Sequence, residues 1–114
     1  MMEKEIINYT EGVKRFSGHE ELYQKYLKKF VDGKEYSDFS SAMQQGRYDD
    51  AFRAAHTLKG ITGNLSFDRF YDKLYNIVEM LRDGKDMSGA VTYFREVQSE
   101  FDVLLSELKT RLNC

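Results

Sequence analysis

The stretch Ala54-Ala55-His56-Thr57-Leu58-Lys59-Gly60-Ile61-Thr62-Gly63-Asn64-Leu65 decides how this chain is read. Wound as a helix, which advances ~100° per residue, it separates into two faces. With His56 at ~0°, Gly60 falls at ~+40°, Gly63 at ~−20° and Lys59 at ~−60°. Phe52 and Arg53, one turn earlier, flank the same line. Ala51, Ala54, Ala55, Leu58, Ile61, Thr62 and Leu65 take the other side. The apolar stripe therefore points to a core, and His56 points to solvent. Glycine inside a helix costs about 1 kcal/mol relative to alanine, so two of them beside an outward histidine ask for a reason. Two are open: something approaches the imidazole closely, or a neighbouring helix packs against the glycines, with Gly63 near a C-cap.

Working outward, the same periodicity predicts more helices. Thr10 to Phe16 forms a short one, with Thr10 as N-cap and Val13 and Phe16 inward. His19 to Val31 places Leu22, Tyr23, Tyr26, Leu27, Phe30 and Val31 at helical spacing and ends at Asp32-Gly33. His19, near its start, reads as a solvated or capping residue. Tyr36 to Gln45 turns Phe39, Ala42 and Met43 inward, and Gly46 suits the position just past its end. Tyr48 opens the His56 helix, with Asp49 and Asp50 in a first turn where the helix dipole favours carboxylates. Asn64 and Ser66 mark its exit. From Phe67 the residues Phe67, Phe70, Leu74, Ile77 and Leu81 step by three and four. Asp83-Gly84-Lys85-Asp86 is a turn. The last helix, from about Ser88 to Leu112, carries the stripe Val91, Phe94, Val97, Phe101, Leu104, Leu108 and Leu112.

These helices and short connections predict an all-α chain, residues 1–114 being one domain. The architecture expected is an antiparallel four-helix bundle with one or two additional short N-terminal helices. A length of 114 residues with 41% apolar residues suits one modest core. The absence of proline agrees with helix throughout. The eight phenylalanines and eight tyrosines sit mostly at core spacing and read as packing. Tyr48 and Tyr71 are the surface candidates among them.

Charge and composition narrow the function. The net charge of −2, with both signs interspersed, offers no basic stripe for nucleic acid. No apolar run approaches the ~20 residues that span a bilayer, and Met1-Met2-Glu3-Lys4-Glu5 is unlike a signal peptide. The one cysteine, Cys114, has no disulfide partner in the chain, which fits a reducing compartment and a cytoplasmic location. His19 and His56 lie far apart and no Cys/His pair has ligand spacing, so no metal site is expected.

A neutral imidazole is a nucleophile without an activating base. No nucleophile elbow and no Gly-rich phosphate loop accompany it here. Lys59, one turn away, brings a cation suited to phosphate oxygens. Gly60 and Gly63 leave room for a tetrahedral group and its donor. Phosphoryl transfer depends mainly on positioning and charge neutralisation, so a site this small suffices when a partner supplies the rest.

The string Ala55-His56-Thr57-Leu58-Lys59-Gly60 resembles the signature of histidine-containing phosphotransfer (HPt) domains, with Lys and Gly three and four positions after the His. Arg15-Phe16-Ser17-Gly18-His19-Glu20-Glu21-Leu22-Tyr23 resembles that family's opening segment, and Leu27-Lys28-Lys29-Phe30 its following helix. Tyr48-Asp49-Asp50-Ala51 also fits the spacing before the site. The resemblance covers nearly the whole chain. Two positions depart from it: Ser66 stands where the family commonly has glycine, and Ile61 where a small Ser or Ala is common.

The resemblance implies that His56 is the phosphoacceptor, carrying a phosphoryl group between receiver-domain aspartates in a two-component phosphorelay. Lys59 then stabilises the phosphate, Gly60 and Gly63 admit the partner, and Asp49, Phe52 and Arg53 belong to a candidate docking surface. The implied partners are response-regulator receiver domains and a hybrid histidine kinase, the chain itself being a monomer without kinase activity. No cofactor is expected on this chain, and Mg²⁺ is expected on the receiver during transfer. Two other readings share parts of the pattern. One is a non-catalytic helical adaptor, and the other is the phosphoacceptor domain of a chemotaxis-type kinase.

Overall fold

The computed structural model describes residues 4–113, and every regular element among them is helical. Cys114 and residues 1–3, on which the disulfide and leader expectations rest, lie outside the described residues. The helices are α1 (Tyr9–Arg15), α2 (Glu20–Asp32), α3 (Glu35–Gln44), α4 (Tyr48–Asn64), α5 (Asp68–Leu81) and α6 (Met87–Leu112), with a single 3₁₀ turn at Arg82–Gly84 between the last two. Among the described residues no helix is long and apolar enough to cross a membrane.

Local chemistry sets the ends. The N-cap of α1 is Asn8 rather than Thr10, because the Asn8 side-chain oxygen accepts the Glu11 backbone N–H at 3.3 Å. Asp86 does the same for α6 by accepting from the Gly89 N–H at 3.0 Å. His19 caps α2 by backbone position alone, without a side-chain hydrogen bond. Gly46, at φ +71°, ends α3 in the left-handed conformation expected of it. Ser66 ends α4 in the same way at φ +60°. A left-handed non-glycine residue is costly, by roughly 1–2 kcal/mol. Its surroundings offset that cost: Arg15 Nε donates to the Ser66 hydroxyl at 3.1 Å, and the Ser66 carbonyl accepts the Asn8 N–H at 2.9 Å.

Helix α4 packs against α3 and α5, α5 packs against α6, and α2 rests on α6. Leu58, Phe67, Phe70, Leu74, Ile77, Leu81, Val97, Leu104 and Leu108 are buried at their junctions, as the stripes predict. An aromatic seam ties α2 and α3 to the later helices. Tyr36 stacks on Phe101 with ring centres 3.7 Å apart, and Phe30 meets Phe67 edge-on at 5.1 Å. Among the described residues, no buried side-chain nitrogen or oxygen lacks a hydrogen-bond partner.

Three stripe positions differ from expectation. Val91 is 49% exposed, and Ala90 takes the inward place at the start of α6, where a small side chain lets α5 come close. Leu22 and Tyr26 are each 41% exposed, since α2 turns Tyr23, Leu27 and Phe30 inward and leaves these two on its flank. Tyr48 and Tyr71, expected at the surface, are half-buried.

Candidate functional site

Helix α4 places its two faces as its periodicity dictates. Ala51, Ala55, Leu58 and Thr62 are buried, and Ala54 and Ile61 are half-buried. This anchoring fixes the rotation of the helix, and that rotation turns His56 outward. His56 is exposed in the middle of a 17-residue helix, so its backbone is rigid while its ring is open.

The surroundings of the ring come from two helices. Phe52, one turn earlier on α4, has its ring centre 6.2 Å from that of the imidazole. Arg82, at the C-terminal end of α5, lays its guanidinium over Phe52, 5.2 Å from the ring centre. Phe52, Arg53, His56, Thr57 and Arg82 together line a shallow, open groove. Arg82 also pairs with Glu79 at 3.1 Å.

Lys59 follows His56 by one turn and is half-buried. Its ammonium sits 5.2 Å from the centre of the Tyr75 ring, a cation–π contact that keeps it at the α4–α5 edge of the site. Asp50 holds two arginines, Arg53 at 2.6 Å and Arg47 at 2.8 Å. The hydrogen bonds from Arg53 and then Arg47 keep its carboxyl below the usual carboxylate range. Its charge is thereby engaged before the helix reaches His56. Asp49 stands exposed in the first turn of α4.

The two glycines part company. A Cβ built at Gly60 meets no atom within 4 Å, so the helix face one turn beyond His56 is open there. A Cβ at Gly63 would touch the Tyr71 ring at 3.4 Å, an ordinary contact with α5. Gly60 thus borders the open side of His56, and Gly63 borders α5.

The sequence-predicted residues Asp49, Phe52, Arg53, His56, Lys59, Gly60 and Gly63 share one face of α4. Tyr75 and Tyr71 join them from α5 and Arg82 from the 3₁₀ turn that follows it, and sequence reasoning did not place them there. No local pattern carries that signal, because α5 meets α4 only after the chain has reversed at Leu65–Phe67. Among the described residues, no group of three or more His, Cys, Asp or Glu side chains stands where it would hold a metal ion. The site is an exposed imidazole on a long helix, open at Gly60 and edged by the cations Lys59 and Arg82. Set beside known proteins, the chain matches no family model, no curated protein and no solved structure.

Proposed function

We propose that this chain is a histidine phosphotransfer protein, a four-helix bundle that carries a phosphoryl group on His56 between receiver-domain aspartates. The observation that carries the reading is the pairing of an outward imidazole with empty space at Gly60 and a lysine one turn on. A supporting detail comes from Ser66. It stands where the resemblance to HPt domains calls for glycine, and its backbone takes the left-handed conformation that glycine favours.

In the forward step a ring nitrogen of neutral His56 attacks the phosphorus of a receiver's aspartyl phosphate. The N–P bond forms as the acyl P–O bond breaks, and the electron pair leaves with the aspartate carboxylate. The proton on the other ring nitrogen is free to pass to water. Delivery to the next receiver reverses these bonds. Lys59 swings from Tyr75 toward the phosphoryl oxygens, and the receiver brings Mg²⁺ and the remaining charge neutralisation. The chain works as a carrier in the cytoplasm and has no kinase activity of its own.

Incubation with phosphorylated receiver domains tests this. The wild-type protein takes up acid-labile, alkali-stable label. His56→Gln takes up none and melts at the same temperature, while His19→Gln labels as the wild type does. Label that persists in His56→Gln overturns the assignment. Receiver binding without any label in the wild type points to the adaptor reading instead.

A further inference from the structure

Arg82 belongs to the groove but not to the helix that carries the nucleophile. Its guanidinium is held in two ways, by Glu79 at 3.1 Å and by the face of Phe52 at 5.2 Å. Phe52 in turn lies against His56, and Arg82 and His56 line one continuous depression. In the first turn of α4, Asp50 is taken up by Arg47 and Arg53. Among the described residues, the acid paired with Arg82 is Glu79.

We propose that Arg82 is a second phosphoryl-binding residue, and that Glu79 competes with the phosphoryl group for it. The proposal rests on the reading that His56 carries the phosphoryl group. A phosphoryl group on the imidazole adds a charge of about −1.5 to −2 and three strong acceptor oxygens. It extends into the depression that Arg82 lines. A guanidinium is a planar fork suited to two phosphate oxygens at once, and it keeps its stacking on an aromatic face while doing so. The ion pair it must give up is weak, because the Arg82 and Glu79 side chains are 39% and 38% exposed. Lys59 acts differently, as a point charge arriving from the Tyr75 side.

The consequence is a direction. N–P cleavage passes through a loose, metaphosphate-like transition state. Metaphosphate spreads one negative charge over its three oxygens, whereas the phosphoryl group on the imidazole carries nearly two. A cation on those oxygens favours the intact phosphohistidine and slows its loss to water. Removing Arg82 hastens that loss. Removing the Glu79 charge releases Arg82 to the phosphoryl group and slows it. An ion pair with a purely structural role predicts instead that both changes act alike.

The test needs no receiver. Phosphoramidate, whose P–N bond breaks with loss of ammonia, phosphorylates the purified full chain, and ³¹P NMR follows the decay of the phosphohistidine signal. Wild type, Arg82→Gln, Arg82→Lys and Glu79→Gln are compared, with melting curves for each. Arg82→Gln is expected to decay about fivefold faster, the upper end for a half-exposed charge pair, with Arg82→Lys in between and Glu79→Gln slower than wild type. Equal decay in wild type and Arg82→Gln overturns the proposal, as does equal acceleration in Arg82→Gln and Glu79→Gln. If Arg82→Gln does not fold, Glu79→Gln decides: decay no slower than wild type overturns the proposal. A wild-type protein with no phosphohistidine signal overturns the carrier reading beneath it, a result distinct from the others.

Discussion

Tyr23 and His56 are both polar rings on helices with a glycine close by, and they could hardly be more differently housed. Tyr23 is fully buried, and its hydroxyl donates to the Leu65 carbonyl at 2.6 Å. Its ring lies against Tyr9 at 5.2 Å and Phe16 at 5.5 Å. Gly12 presses on it so closely that a Cβ there would overlap the Tyr23 ring. Among the described residues His56 has a single ring neighbour, Phe52, and the helix face at Gly60 is open. At the Tyr23 corner the hydroxyl and the ring are both engaged inside the molecule, and the corner ties α1 and α2 to the exit of α4. In the His56 groove the binding capacity is left over. The first is built into the packing and the second is left open to solvent, which separates what a substitution at each does.

The largest effect expected is on stability at the buried corner. Tyr23→Ala removes a packed aromatic ring and should cost about 3–5 kcal/mol. His56→Ala, on an exposed helix face, should stay within about 0.5 kcal/mol of wild type. Urea unfolding of both variants checks the contrast. A His56→Ala protein that loses as much as Tyr23→Ala would place the imidazole in the packing and collapse the distinction.

Alkaline unfolding sharpens the same comparison. Burial pushes the Tyr23 phenol up to about 12 from its ordinary value of 10.0. Between those values the unfolded chain has given up the proton and the folded protein still holds it, so stability falls as pH rises. The contribution is whole below pH ~10 and is lost through pH ~12, on the order of 2 kcal/mol in all. Tyr36 is pushed up by burial in the same direction, so decline continues beyond. Tyr23→Phe leaves the Leu65 carbonyl without its donor and should start about 1–3 kcal/mol less stable at pH 8. Its curve should then be flatter and approach the wild type's near pH 12. Parallel curves across that range would mean that another group governs alkaline unfolding.

Much of this arrangement is legible in the sequence where one helix decides it. The stripe Phe67, Phe70, Leu74, Ile77 and Leu81 is buried as spacing predicts, and His56, Lys59 and Gly60 stand on the face their angles assign. What the sequence does not carry are features made between helices. Arg82 reaches the groove because α5 folds back on α4, and nothing near position 82 announces that. Gly12 looks like a weak point in a short helix until Tyr23, from the next helix, fills the space above it. Tyr26 has core spacing on its own helix yet stays 41% exposed, because burial depends on which neighbour arrives. Spacing gives the direction of a side chain, and packing partners decide what meets it.

The smallest effect belongs to the glycines, and it isolates that last point. Alanine favours helix over glycine by about 1 kcal/mol at either position, since both lie within helices. At Gly60 nothing opposes this gain, so Gly60→Ala should be as stable as wild type or more stable by up to about 1 kcal/mol. At Gly12 the new methyl meets Tyr23, whose hydroxyl is tethered to Leu65 and cannot swing away without losing its bond. Overpacking of this kind costs about 1–3 kcal/mol, which outweighs the helix gain, so Gly12→Ala should destabilise. Thermal melts of the two proteins therefore move in opposite directions for the same substitution. Gly60→Gln carries the argument to function, because it should fold normally while its longer side chain blocks a receiver and stops labelling of His56. If Gly60→Gln labels at the wild-type rate, the empty space at Gly60 is not the approach to the imidazole, and the partner reaches His56 from the Arg82 side.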